Sequence, residues 1–108
     1  RDYIHVMDLA EGHRAALNCL LADTPQLLTL NLGSGQGQSV LDVVQAMAAA
    51  SSRSIPYEIK DRRPGDAAIS VADPSKAIQR LGWVSKRGLE EICRDSWTWQ
   101  KQNPTGYN

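Results

Sequence analysis

Leu28-Thr29-Leu30-Asn31-Leu32-Gly33-Ser34-Gly35-Gln36-Gly37-Gln38-Ser39-Val40-Leu41-Asp42-Val43-Val44 is the stretch on which the fold turns. Leu28, Leu30 and Leu32 alternate with Thr29 and Asn31, the period-two pattern of a strand. Gly33, Gly35 and Gly37 break it. Ser39 has the side chain of a helix N-cap, and Asp42 suits the positive end of the helix that follows. Val40, Val43, Val44 and Met47 give that helix one apolar face, and it runs out in Ser51-Ser52. Strand, glycine loop and helix in succession predict an α/β protein.

Upstream, residues 1–6 read as an extended lead-in, because Tyr3, Ile4 and Val6 favour strand. Leu9, His13, Ala16, Leu17 and Leu20 then recur at helical spacing. Asp8 and Glu11 resemble a capping box, and Pro25 predicts an end near Ala22 or Asp23. Downstream, Ile55, Tyr57 and Ile59 alternate with Pro56, Glu58 and Lys60, which predicts a further strand with Pro56 at its start or edge. A polar loop around Arg62-Arg63-Pro64-Gly65-Asp66 follows. Asp73-Pro74 marks a helix start and Gly82 its left-handed stop. The last helix begins near Gly88, with Leu89, Ile92, Cys93, Ser96, Trp97 and Gln100 on one face and Pro104 beyond its end. The expectation is about three short strands and four helices.

The chain has 108 residues, 12 basic and 12 acidic, with a formal net charge of zero. That length fits one domain. Apolar residues at 42% and charged residues at 22% are ordinary for a soluble globular protein. A zero balance gives no long-range pull toward nucleic acid or an anionic membrane. No apolar run approaches the roughly 20 residues of a spanning helix. The start, Arg1-Asp2-Tyr3, carries neither a secretory signal nor an initiator Met, and reads as part of a longer chain. Cys19 and Cys93 are too few for a disulfide framework and are expected to be reduced core thiols of a cytoplasmic protein.

Three apparent motifs fail, two of them on spacing. Gly33-x-Gly35-x-Gly37 is not the G-x-G-x-x-G of a dinucleotide site, and no acid ends a strand about 20 residues on. The glycines are better read as a turn that lets the chain reverse into the helix. Tyr57 and Lys60 are one residue short of the Tyr-x-x-x-Lys pair, which also needs a helix. His5, Asp8 and His13 include possible metal ligands, but His13 on an apolar face reads as a packed core residue, and no metal site is expected. Arg62-Arg63-Pro64-Gly65-Asp66 is the stretch with chemistry to offer. Adjacent guanidinium groups repel unless they are solvated or face an anion, and Arg is suited to bidentate phosphate contact. Pro64-Gly65 shapes the loop, and Asp66 can accept from a hydroxyl. Arg1-Asp2-Tyr3 sets a second Arg beside an acid, which in isolation says little.

Arg1-Asp2-Tyr3-Ile4-His5-Val6-Met7-Asp8-Leu9 resembles a segment of the extended short-chain dehydrogenase/reductases, as does Asn31-Leu32-Gly33-Ser34-Gly35 with Ser39-Val40-Leu41. Arg62-Arg63-Pro64-Gly65-Asp66, Ala72-Asp73-Pro74-Ser75-Lys76-Ala77 and Leu81-Gly82-Trp83 narrow the choice. The tail, from Gly88-Leu89-Glu90-Glu91 through Asp95-Ser96-Trp97-Thr98-Trp99-Gln100 to Asn103-Pro104 and Gly106-Tyr107, resembles the UDP-glucose 4-epimerase family within that superfamily. The resemblance runs the whole length in unbroken order. It implies that residues 1–108 form the small carboxy-terminal, UDP-sugar-binding portion of a chain about three times as long. An amino-terminal NAD-binding Rossmann domain and the mid-chain catalytic residues are then absent, so no catalytic residue is assigned. The family interconverts UDP-glucose and UDP-galactose through an NAD-dependent 4-keto intermediate. NAD is implied for the parent enzyme and not for this piece alone, which is expected to be inactive. The resemblance implies that Arg1 and Arg63 contact the UDP diphosphate and Asp66 the ribose. Ser70 stands where the family has an aromatic, so no role is carried to it. Expected partners are the UDP-sugar, the missing Rossmann domain and further copies in a homo-oligomer. The rival readings are another UDP-sugar epimerase, dehydratase or decarboxylase of the superfamily, or a non-catalytic nucleotide-sugar binding module.

Overall fold

His5 closes the lead-in and starts the first helix. Its Nδ1 accepts from the Met7 N–H at 3.1 Å and its carbonyl from the Leu9 N–H at 3.0 Å, so His5 does the work of a cap. The computed structural model describes residues 1–22 and 26–107. Its order is α1 (Val6–Ala22), α2 (Val40–Ser51), α3 (Ser75–Leu81) and α4 (Leu89–Gln102). Of the three later helix starts, that of α2 follows its sequence signal and that of α3 comes one residue late, with Pro74 rather than Asp73 as its N-cap. Ser39 and Asp42 form a reciprocal capping box on α2. The Asp73 carboxylate accepts from the Ser75 N–H at 3.0 Å, and Gly82 (φ 62°) ends α3.

The expected strands do not form. Among the described residues the β pairing is one isolated antiparallel bridge, Asp2 to Gly37. Residues 28–32 do alternate between half-buried and exposed, so the side-chain period is correct. A strand also needs a ladder along a neighbour, and no such ladder runs beside them. Around the second expected strand, Tyr57 and Ile59 are 62% and 82% exposed. The described residues therefore form four helices joined by extended segments.

The start of α1 also differs from expectation. The helix begins two residues before Asp8, so Asp8 and Glu11 are not a capping box. Asp8 is fully buried instead. Its Oδ2 accepts from the Lys86 and Arg87 N–H groups at 3.0 and 2.9 Å, and its Oδ1 from the Arg87 guanidinium. A second guanidinium nitrogen of Arg87 reaches Glu11 at 3.0 Å. The Trp83 indole N–H donates to the Asp8 carbonyl at 2.9 Å. Burial pushes the Asp8 carboxyl up, but the amides of Arg87 and Lys86 and the Arg87 guanidinium outweigh it and hold it below its ordinary value.

The face that α1 turns inward is set by Asp8 and Gly12, not by the leucines. Leu17, Leu20 and Leu21 stay exposed, and so does His13, whose Nδ1–H donates to the Leu9 carbonyl at 2.8 Å; it is not a core residue. The described part of α1 runs to Ala22, and the predicted end near Ala22 or Asp23, with Pro25 beyond it, falls at residues outside the described ones. Helices α2 and α4 pack together, Arg53 stacks over the Trp97 ring at 5.2 Å, and Cys93 is buried as expected. Cys19 is half-buried.

The molecule is open. Its radius of gyration is 16.9 Å, against about 13 Å for a compact chain of this length. Its accessible surface is 8248 Å², against about 6000 Å² for a compact monomer of this mass. The buried apolar core consists of Ala77, Trp83 and Cys93, while sixteen large apolar side chains from Val6 to Tyr107 are exposed. The chain leaves uncovered the apolar surface that a partner would ordinarily bury.

Candidate functional site

The loop carrying the arginine pair turns sharply because Pro64 and Gly65 sit where a tight turn needs them. The Asp66 N–H donates to the Arg63 carbonyl at 3.2 Å, and Gly65 takes a positive φ of 84°. Pro at the second position and Gly at the third is the sequence of a type II turn. The turn folds Asp66 back onto Arg63, whose Nε meets Asp66 Oδ2 at 3.0 Å. From the other end of the sequence, Arg1 reaches the same carboxylate, with 3.7 Å to Oδ1. The three residues singled out as nucleotide contacts are thus brought together, one carboxylate between two guanidinium groups.

They line a cleft of about 830 Å³. Arg1, Lys60, Arg62 and Arg63 supply four cationic side chains against the carboxylates of Asp61 and Asp66. Gly37, Gln38, Ser39 and Val40 form the opposite rim, so the positive end of α2 also meets the cleft. Ala67, Ala68, Ile69 and Val71 make an apolar flank. The Arg63 side chain is 84% exposed and that of Arg1 43%, so both remain solvated and open to an incoming anion. A chain of zero net charge has concentrated positive charge at one place, and the cleft can accept a polyanion with an apolar group beside it.

Asp2 is the residue whose part the sequence did not show. Its Oδ1 accepts from the Ser34 N–H and hydroxyl at 3.0 and 2.6 Å. Its Oδ2 accepts from the N–H groups of Gly35 and Ala72 at 3.0 and 3.2 Å. Burial raises the carboxyl, but these bonds prevail and hold it below its ordinary value. The signal was an acid beside Arg1; its partners lie 32 to 70 residues away and carry no motif.

The rejected motifs are structural or exposed. Tyr57 and Lys60 lie on a non-helical segment, where Lys60 pairs with Glu58 at 3.1 Å. His5 is buried and its Nε2 meets Asp95 at 3.2 Å, while Asp8 is held by Arg87. Among the described residues no group of three or more His, Cys, Asp or Glu is arranged to hold a metal ion.

The chain is similar to known proteins over nearly its whole length. The chain is 55% identical over 107 residues to the UDP-glucose 4-epimerase of Bacillus subtilis (strain 168), covering 99% of this chain and 31% of that protein. It is 52% identical to the human UDP-glucose 4-epimerase, again over 99% of this chain and 30% of that protein. The crystal structure of the Bifidobacterium longum UDP-glucose 4-epimerase in complex with NAD+ and UDP superposes with a TM-score of 0.91 at 46% identity, covering 99% of this chain and 31% of that one. The chain spans about a third of the length of these relatives. The glycine loop of this chain does not fit NAD. A Cβ on Gly33 would lie 2.5 Å from Ala72 Cβ and 2.7 Å from the Asp2 carboxylate. The glycine loop is therefore packed against its own chain and offers no cradle for a pyrophosphate. Residues 1–96 match the family model described as GDP-mannose 4,6 dehydratase, and with nine-tenths of its length inside that match the chain belongs to this family.

Proposed function

We propose that the chain is the carboxy-terminal UDP-sugar-binding portion of a UDP-glucose 4-epimerase. The observation that carries this reading is the meeting of Arg1, Arg63 and Asp66 on one cationic cleft, with 3.7 and 3.0 Å between the charged atoms. Arg1 and Arg63 hold the diphosphate, and Asp66 accepts from a ribose hydroxyl. Without ligand the Asp66 carboxylate spaces the two guanidinium groups and limits their repulsion. A diphosphate replaces that carboxylate with a stronger anion and frees Asp66 for the sugar. Interconverting UDP-glucose and UDP-galactose requires a firm hold on the nucleotide while the hexose turns over. Charge-assisted bonds to the diphosphate give a hold that need not change as the sugar moves.

The remaining parts belong to the parent enzyme: an amino-terminal Rossmann domain with its NAD, and the catalytic residues. The exposed leucines of α1 and the excess surface support such a partner, and support a homo-oligomer when it is missing. No described helix is long and apolar enough to cross a membrane, which fits a cytoplasmic enzyme.

The test is calorimetric titration of UDP into the chain and its Arg63→Ala variant. Binding by the first and a loss of about tenfold or more in the second is expected, as for a charged hydrogen bond. Equal affinities would refute the assignment. With NAD and UDP-galactose the 108-residue chain should show no turnover; turnover above a blank would overturn the division of labour. Light scattering should show an oligomer, and a clean monomer at high concentration would count against exchange of apolar surface between copies.

A further inference from the structure

We propose that Asp2 is a positioning residue for the anion cleft: it sets where Arg1 stands relative to the two segments that complete the site. The inference rests on the reading of that cleft as a UDP site.

Three stretches far apart in sequence supply the cleft: Arg1, residues 37–40 and residues 60–71. Asp2 joins all three and does not line the cleft itself. Its backbone N–H donates to the Ser70 carbonyl at 3.1 Å, and the Gln38 N–H donates to the Arg1 carbonyl at 2.8 Å. Its side chain then holds Ser34 with Oδ1 and both Gly35 and Ala72 with Oδ2. The site has no sheet to fix these segments. One carboxylate takes the place of a ladder.

The bonding capacity of Asp2 explains a second feature. A carboxylate has about four lone-pair positions, and Asp2 receives four hydrogen bonds from Ser34, Gly35 and Ala72. Nothing is left over for its sequence neighbour. Arg1 makes its ion pair with Asp66 across the cleft. A saturated Asp2 thus keeps an adjacent acid from drawing Arg1 away from the ligand. Close packing makes the arrangement strict, because the Gly33 backbone runs too near the Asp2 carboxylate and Ala72 to admit a Cβ.

Asp2→Asn keeps the shape and breaks the pattern. A carboxamide offers one oxygen and one NH2 group, so the N–H donors on one edge face another donor. With the NH2 at the Oδ2 position both Gly35 and Ala72 let go, with it at the Oδ1 position the Ser34 N–H does, and Arg1 loses its reference. UDP and uridine are titrated into the wild-type chain, Asp2→Asn, Ser34→Ala and Arg63→Ala. Asp2→Asn is expected to lose about tenfold in UDP affinity, as Arg63→Ala does, while uridine affinity changes less than about twofold. Ser34→Ala removes one donor to Asp2, and the acceptor of the Gln36 N–H, while leaving the Ser34 and Gly35 amides in place, and is expected to lose about threefold for UDP only. It decides the matter if Asp2→Asn fails to fold. UDP affinity kept in both variants while Arg63→Ala loses it would overturn the proposal and leave the cleft assignment standing. Equal loss for UDP and uridine would show a merely structural role and also overturn it. No UDP binding by the wild-type chain would overturn the cleft assignment and this proposal together.

Discussion

The molecule uses arginine and aspartate twice, to different ends. In one region Arg87 closes on Asp8, with Glu11, two backbone amides and the Trp83 indole completing the network. In the other, Arg1 and Arg63 share Asp66 at the rim of an open cleft. The Asp8 side chain is fully buried, whereas that of Asp66 is 33% exposed and that of Arg63 84%. Charge that is buried and saturated is committed to the fold, since removing one partner strands the other. Charge that is solvated and shared is available to a ligand. The pairing of residue types alone does not separate these roles; the burial and the number of partners do.

The largest expected effect breaks the buried half. Asp8→Ala leaves the Arg87 guanidinium and the Lys86 and Arg87 amides without their acceptor. A loss of about 3–5 kcal/mol in unfolding free energy is expected from denaturant titration. A loss under about 1 kcal/mol would move Asp8 into the surface class. Next is Arg63→Ala, expected to cost about 1.5–3 kcal/mol of UDP affinity with little change in the unfolding midpoint. A variant that unfolds without losing affinity would reverse the comparison.

Acid sharpens the contrast further. Asp8 and Asp2 are both held below their ordinary values, so each contributes stability above the unfolded-state value of 3.8 and loses it as pH falls through the folded-state value. Unfolding midpoints should hold steady between pH 7 and 5 as far as these two groups are concerned and fall below about pH 4. Asp8→Ala should flatten that fall, and an equally steep fall in the variant would remove Asp8 as its source. The smallest effect lies outside both regions. Arg53→Ala removes the cation over Trp97 and is expected to cost about 0.5–1 kcal/mol of stability without altering UDP affinity.

These contrasts show what the sequence can carry. Local signals held: the Ser39 N-cap with Asp42 in the first turn, the Gly82 stop of α3 and, to within one residue, its Asp73-Pro74 start all depend on neighbours within a few residues, as does the Pro64-Gly65 turn. Period-two alternation in residues 28–32 read the side chains correctly and the hydrogen bonding wrongly, because a ladder depends on a neighbour that alternation does not reveal. The leucine stripe of α1 misled for a similar reason. Leu17 and Leu20 of that stripe stay exposed, and the inward face is chosen by Asp8 and its partners some 80 residues away. Arg62 and Arg63 stood out as an adjacent pair, and Arg1, Arg63 and Asp66 were singled out together only by resemblance; the structure brings those three to one cleft. Asp2 was not, since four hydrogen bonds to backbone and a serine hydroxyl leave no pattern in side-chain identity.

The most direct measurement is a crystal structure of the chain with UDP bound. The account predicts the diphosphate between the Arg1 and Arg63 guanidinium groups, the Asp66 carboxylate turned to a ribose hydroxyl, and Asp2 still bonded to Ser34, Gly35 and Ala72. A diphosphate seated on the Gly33–Gly37 loop, or away from both arginines, would contradict it.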